Sequence, residues 1–375
     1  MNAKGINKDK IQSALNLVTF RLQHLQRPEK EEELLKNQEK TKKVIGAFPR
    51  DFGMDAWDWP QGVGLYGMMN LYKITGDQDI KLYIQQWFQR HIQMGLPVRN
   101  INTTCPLLTM VDLVESNEEY REICEDWAKW IMYEMPRTKE NGFQHTTTKD
   151  AARGLLNMNE NQIWIDTLFM TVLFLAKWGV YTDNEAYQNE AVHQYLIMLK
   201  YLYDKEAGLF YHAWTFDENK NFSKAFWCRG NCWYTASVLD FIEILGDKLS
   251  PPVKEILIDA YKAQVSALCE YQSESGLWHT VLDDPDSYEE TSGSAGIVYG
   301  ILKGLRSKVL TADHVEAAER AVNGILDKIS SDGTVEGVSA GTPVGRGRDH
   351  YKGIMIAPMA YGQSLCIMAL SEALQ

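Results

Sequence analysis

No apolar run in the 375-residue chain reaches the roughly 18 residues that a spanning helix needs, and the opening MNAKGINKDKIQSAL lacks a core of signal-peptide length. A soluble, cytoplasmic protein is the expectation. Cysteine is sparse: six residues, at positions 105, 124, 228, 232, 269 and 366, make no disulfide framework in a chain of this size. Cys228 and Cys232 can share a helix face, but no matching His or Cys pair accompanies them, so packing is expected rather than metal. The phosphate loop, the dinucleotide fingerprint and the two-histidine metal helix are all missing, and no cofactor is expected. Positive charge is also short, with 38 Lys and Arg against 50 Asp and Glu and a formal charge of −12. No basic cluster is interleaved with aromatics, which excludes nucleic acid as a natural partner. The one dense charge run, EKEEELLKNQEKTKK at residues 29–43, reads as a solvated helix or loop near the entrance of the fold.

What the chain does contain is a recurring phrase. NGFQH at residues 141–145, AGLFYH at 207–212 and SGLWH at 275–279 each close a helical stretch, and SDGTVEG from Ser331 is a weaker echo. The glycines at 142, 208, 276 and 333 are spaced by 66, 68 and 57 residues, about two helices and their connections. A Gly turn, an aromatic and usually a His therefore return to one level of the structure.

The intervening segments alternate in character. Short helices rich in small and apolar residues begin near Gly64, Pro106, Ile165, Tyr234, Ser294 and Tyr361. Longer amphipathic ones are expected over residues 11–25, 79–94, 118–134, 185–203, 253–272 and 312–329. In the last of these Val315, Ala318, Val322, Ile325 and Ile329 recur at spacings of three and four. Six buried helices alternating with six half-solvated ones predict an all-α (α/α)6 toroid forming a single domain over residues 1–375. The final inner helix has no outer partner after it, so the N-terminal helix is expected to close the ring. An open superhelix of hairpins is the alternative.

Aromatics carry more information than charge. Trp57, Trp59, Trp164, Trp214, Trp227, Trp233 and Trp278 sit at turns or helix starts, where they either fill the ring interior or stack on sugar faces. Asp166, in NQIWIDTLFMTVLFLAKW, is either a helix cap or an acid in an apolar setting. Burial would raise its pKa and its own helix terminus would lower it. His212 lies on a repeated turn. Arg229, between Trp227 and Trp233, has a planar fork suited to a sugar carboxylate, or else it bonds helix-terminal carbonyls.

Five short motifs, in order, are Gln61-Gly-Val, Trp164-Ile-Asp166, Tyr211-His-Ala-Trp214, Trp227-x-Arg229-x-x-x-Trp233 and Ser292-Gly-Ser294. Together they resemble the unsaturated rhamnogalacturonyl hydrolases, glycoside hydrolase family 105, from about Trp57 to Leu370. The resemblance implies the same toroid. It also implies hydration of the C4=C5 double bond that polysaccharide lyases leave on a terminal uronic acid, with Asp166 as the proton donor and His212 beside it. Trp57, Trp59, Gln61, Trp164, Trp214, Arg229, Trp233, Ser292 and Ser294 would then line the sugar pocket.

Where better-known members carry a second aspartate, this chain reads VRNINTTCP, and Asn102 is the best match. An amide can orient a sugar hydroxyl but supplies no acid. The terminal stretch GRGRDHYKG adds His350 and Tyr351 as pocket candidates on a glycine-rich loop. The implied partner is an oligosaccharide ending in an unsaturated uronate, acted on by a monomer or weak homodimer. A polysaccharide lyase, a sugar 2-epimerase and a non-catalytic helical scaffold are the rivals on the same architecture.

Overall fold

The computed structural model describes residues 7–26 and 52–375, so the charged segment expected around residues 28–45 lies outside the described residues. Six inner helices follow in order. They are Trp59–Thr75, Leu107–Met110 continued by the 3-10 segment Val111–Ser116, Leu173–Tyr181 entered through a π-helical turn at Leu168–Val172, Cys228–Leu245, Thr291–Arg306 and Ala360–Ala373. Each packs on the next, and the last packs on the first. Outside them run Lys8–His24, Gln78–Met94, Glu118–Tyr133, Glu185–Leu202, Pro251–Glu270 and Val315–Asp327. The chain is an (α/α)6 toroid, and Lys8–His24 packs on Ala360–Ala373 as the missing outer partner.

The two rings differ as their compositions require. From Thr291 to Leu305 every residue of the fifth inner helix is buried. In Val315–Asp327 burial is confined to a stripe that includes Ala318, Ala321, Val322 and Ile325. Small residues let inner helices touch backbone to backbone: a Cβ on Gly300 would stand 2.2 Å from the Thr235 carbonyl oxygen. The first inner helix starts at Trp59, before the expected Gly64, because Asp58 accepts from the Trp59 N–H and Pro60 occupies the first turn.

The repeated turns turn out to be the ring's fasteners. Ser273 N–H donates to the Leu277 carbonyl and Ser330 N–H to the Thr334 carbonyl, both at 2.9 Å. The residue at each tip has positive φ: Gly208 (+68°), Gly276 (+87°) and Gly333 (+83°). In the first turn Asn141 (+62°) takes that place instead of the expected Gly142, which matters for close approach: its Cβ would meet Ile163 at 2.8 Å. Each of the three glycine tips lies on the backbone of the next outer helix, while the first turn is held by the Gln194 side chain, which donates to the Asn141 carbonyl. A Cβ on Gly276 would fall 2.2 Å from the Arg320 oxygen, and one on Gly333 would fall 2.4 Å from the Leu17 oxygen, which closes the circle. Gln363 secures the joint by donating to the Gly333 carbonyl at 2.7 Å and accepting from Val335 N–H at 2.6 Å.

The chain leaves each turn toward the face where the inner helices begin. There the antiparallel strands Gln162–Trp164, Ala213–Thr215 and Lys220–Asn221 form a small sheet, with Trp164 opposite Ala213. A hairpin of Thr147–Asp150 and Leu155–Asn157 is inserted just before it. The opposite face holds a basin of about 530 Å³ lined by Lys73, Lys177, Lys303, Arg306, Asp240 and Glu372, among others. Lys303 pairs with Asp240, and Arg306 with Glu372. Cations among inner-helix C-termini offset the negative helix ends.

Candidate active site

Sheet register brings the central residues together. Beyond the Trp164–Ala213 pair, Ile165 N–H donates to the His212 carbonyl at 3.0 Å, so the residue after Ile165 stands beside the imidazole. Asp166 Oδ2 lies 3.2 Å from His212 Nε2. The ring N–H is off the line between them, and neither atom has another hydrogen-bond partner. Such looseness is usual for a catalytic pair before a ligand tightens it. The Asp166 side chain remains 18% exposed whereas that of His212 is closed off completely, so the carboxylate is the member that faces open space.

His145 completes the group. It sits two residues past Phe143 in the first repeated turn, is 2% exposed and stacks on Trp164 with centroids 4.3 Å apart and planes 6° from parallel. Its Nδ1 lies 3.0 Å from Thr167 Oγ1. Trp164 meets His212 edge-on at 5.3 Å, and Trp227 covers the other side of His212 at 4.3 Å. The motif NGFQH already set His145 at the level of His212, but sequence reasoning used the repeat for the fold and left His145 out of the site.

Burial pushes the His145 pKa down to about 4, and burial also lowers that of His212 against the pull of Asp166. Both imidazoles are neutral at neutral pH. Burial would raise the Asp166 pKa, but His212 and then His145 outweigh it and hold the carboxyl below its ordinary value. The free site therefore sets an ionised carboxylate beside the neutral imidazole of His212, with the neutral His145 near enough to act on it.

Asn102 opens the 3-10 turn Asn102–Thr104, which packs against the π turn Leu168–Val172, and Thr171 Oγ1 donates to the Ile101 carbonyl at 3.0 Å. The residue is 7% exposed, and its side-chain amide makes no hydrogen bond to a described residue. Trp59 stacks on Tyr361 at 4.5 Å and meets Trp233 edge-on at 5.9 Å, forming an aromatic floor with Phe169.

Other expected sugar contacts serve the scaffold. Trp57 donates through Nε1 to the Thr103 carbonyl at 2.8 Å and packs on Trp87, so it supports the Asn102 turn from behind. Gln61 is fully buried and donates to the Gly53 carbonyl. Ser292 and Ser294 are also fully buried: Ser292 Oγ donates to Glu290 Oε1 and Ser294 Oγ to the Glu290 carbonyl, both at 2.7 Å. Trp214 packs on Tyr201 of the outer ring rather than on the His212 group.

Arg229 also departs from expectation. It is 1% exposed and sandwiched between Trp227 and Tyr361, each 4.7 Å from the guanidinium carbon. One amino group donates to Ser292 Oγ and to the oxygens of Ser339, the other to the Ala340 carbonyl and Thr342 Oγ1. Glu290 stands 3.6 Å away. With both amino groups committed, the fork clamps the 339–342 segment and is not directed at open space. His350, half-buried, has Nε2 2.9 Å from the Pro343 carbonyl. Tyr351 is fully buried with its oxygen 3.0 Å from His212 Nδ1, behind the imidazole rather than in the sugar space.

Among the described residues no group of His, Cys, Asp and Glu has the arrangement of a metal site, and no helix is long and apolar enough to cross a membrane. Comparison with known proteins adds independent information. A family model described as Glycosyl Hydrolase Family 88 matches residues 33–375. The unsaturated rhamnogalacturonyl hydrolase YesR of Bacillus subtilis (strain 168) is 32% identical over 348 residues, covering 92% of this chain and 97% of that protein. Two crystal structures, each of a possible member of the GH105 family, superpose with TM-scores of 0.88. The one from Salmonella enterica subsp. enterica serovar Paratyphi A str. ATCC 9150 is 39% identical and the one from Klebsiella pneumoniae subsp. pneumoniae MGH 78578 is 38% identical. Each comparison covers 98% of this chain and 94% of the other.

Proposed function

The chain belongs to glycosyl hydrolase family 88, and from that premise we propose that it hydrates the C4=C5 bond of a terminal unsaturated uronic acid, with Asp166 as the proton donor. A rhamnogalacturonan-type oligosaccharide is the favoured substrate, by similarity to the relative acting on unsaturated rhamnogalacturonyl groups.

Asp166 in its protonated form gives its proton to C4, and the π electrons of the enol ether leave C5 and the ring oxygen sharing positive charge. Water adds at C5 and returns a proton to the Asp166 carboxylate. The hemiketal opens at the C5–O bond, C1 expels the remaining sugar as an alcohol, and a 4-deoxy keto uronate results. One carboxyl group alternating as acid and base is sufficient for this cycle. The observation that carries the reading is the Asp166 carboxylate at the entrance of the third inner helix, paired with the neutral imidazole of His212 and turned toward open space.

The site also suits an anion in an acidic protein. The N-terminal ends of the inner helices converge there, and the positive ends of their dipoles favour a negative ligand. A substrate carboxylate about 5 Å from Asp166 would raise its proton affinity by roughly 3 kcal/mol at an effective dielectric near 20, opposing the downward pull of the histidines. Asn102, with its uncommitted amide, would orient a sugar hydroxyl, and Trp59 and Trp164 would bound the ring. We further assign a single catalytic domain over residues 1–375, working in the cytoplasm as a monomer or weak homodimer.

The test is optical. Lyase-digested oligosaccharide should lose the absorbance of its conjugated double bond on incubation with the protein. Asp166→Asn should slow this at least about 10³-fold with an unchanged melting curve, and Asn102→Ala should raise KM while leaving the pH profile in place. Rising absorbance would identify a lyase, and unchanged absorbance with an altered sugar would identify an epimerase.

A further inference from the structure

A network of hydrogen bonds reaches His212 from behind, on the side of the ring away from Asp166. It starts at two backbone amides, which can only donate. Ala225 N–H donates to Ser223 Oγ at 3.3 Å, and Gly345 N–H donates to Tyr351 Oη at 3.4 Å. The Ser223 hydroxyl faces the same phenol oxygen. On the other side Tyr351 Oη is 3.0 Å from His212 Nδ1. An ionised carboxylate can only accept, so with Asp166 Oδ2 3.2 Å from Nε2 the single proton of neutral imidazole belongs on Nε2, and Nδ1 is left to accept from the Tyr351 hydroxyl.

We propose that Tyr351 is a positioning residue that locks His212 in its neutral Nε2–H form, so that the proton used in the reaction resides on Asp166 and not on His212. The inference rests on the function proposed above. An imidazolium needs a hydrogen on Nδ1, which would point at the phenol hydrogen, so charging His212 requires Tyr351 to turn its O–H away. Asp166 has no such obstacle. The other titratable or charged groups that bear on His212 are His145, Arg229 and His350, and all three oppose a second positive charge there. Asp166 favours it, and the phenol blocks the nitrogen that would have to be protonated. A proton arriving with an anionic substrate is thereby directed to the carboxyl that faces C4.

The full-length protein labelled with ¹⁵N-histidine, without ligand, provides the direct readout, with His212 assigned from the signals missing in His212→Gln. Across neutral pH the wild type should show His212 protonated at Nε2 and bare at Nδ1. Tyr351→Phe should bring protonation at Nδ1 and move the titration of the pair upward. On unsaturated oligosaccharide the same variant should lose about tenfold in kcat with little change in KM, and the basic limb of its pH profile should move to higher pH. A protonated Nδ1 in the wild type would overturn the proposal, and that measurement needs no variant to fold. Loss of activity in Tyr351→Phe with the His212 signals and pH profile unchanged would also overturn it, leaving Tyr351 a packing role. The spectrum of the free protein is independent of turnover, so an inactive wild type would count against the proposed reaction and not against the lock.

Discussion

Acidification should destabilise this protein through one histidine before it touches the carboxylates. His145 is closed in by Trp164 and Thr167, and burial sets its pKa at about 4 against an ordinary 6.5. Its folded value is the lower one, so between those two pH values the unfolded chain binds the extra proton and stability falls as pH falls. With 1.36 kcal/mol per unit, the loss is about 2 kcal/mol from pH 7 to pH 5 and about 3 kcal/mol by pH 4. Asp166 does not contribute in this window. Its folded pKa is depressed below the ordinary carboxyl value, so the stability it supplies is lost only at lower pH. His212, also shifted down by burial, adds in the same direction as His145. The assay is denaturant unfolding of wild type and His145→Gln at a series of pH values, which cancels background titration common to both. The wild type should lose about 2 kcal/mol relative to the variant between pH 7 and pH 5. Parallel stability curves would refute the burial argument and with it the neutral imidazole beside Asp166.

Three further substitutions probe the scaffold. Arg229→Lys leaves a point charge where a fork spans Ser292, Ser339, Ala340 and Thr342, so denaturant unfolding should show a loss of about 2–4 kcal/mol. Unchanged stability with lost substrate binding would return the fork to the sugar carboxylate. Gly276→Ala must hold φ near +87° and place a Cβ 2.2 Å from the Arg320 oxygen, whereas Gly76→Ala at φ +72° meets nothing within 4 Å. The first should lower stability by about 3 kcal/mol or more and the second by about 1 kcal/mol, read from the two melting curves; equal effects would show that the turn does not bear on the next helix.

The ring was legible because burial writes itself into spacing. Apolar residues at every position marked the inner helices and stripes marked the outer ones, so twelve helices and the closing role of the first could be read from the sequence. Asp166 and His212 were legible for a similar reason, since a carboxylate among Trp, Ile and Phe and a histidine on a repeated turn are both out of place in a bland core. Direction was not legible. Arg229, Gln61, Ser292 and Ser294 lie at the correct level of the fold, yet each points into protein because a buried N–H or hydroxyl takes the nearest acceptor, and sequence does not say which is nearest. His145 carried the same signal as His212, a histidine ending a repeated turn; its stack on Trp164, 19 positions on and beyond an inserted hairpin, is what only the structure adds.

The last fastener of the ring has a consequence for the order of folding. The turn at Gly333 rests on Leu17, and Gln363 reaches the Val18 carbonyl across 345 positions of chain. On the ribosome the Lys8–His24 helix is made first, but its partner Ala360–Ala373 emerges last. Its buried stripe of Ile11, Leu15, Val18 and Leu22 must remain without its native cover for nearly the whole of synthesis. The five other hairpins can pack in sequence as they appear, each on its predecessor. Joining the two ends closes the longest loop of chain among these contacts and so carries the largest loop-closure entropy. Until it occurs, the first and last inner helices expose the faces they share, and a chain stalled there is the species most prone to associate with another copy.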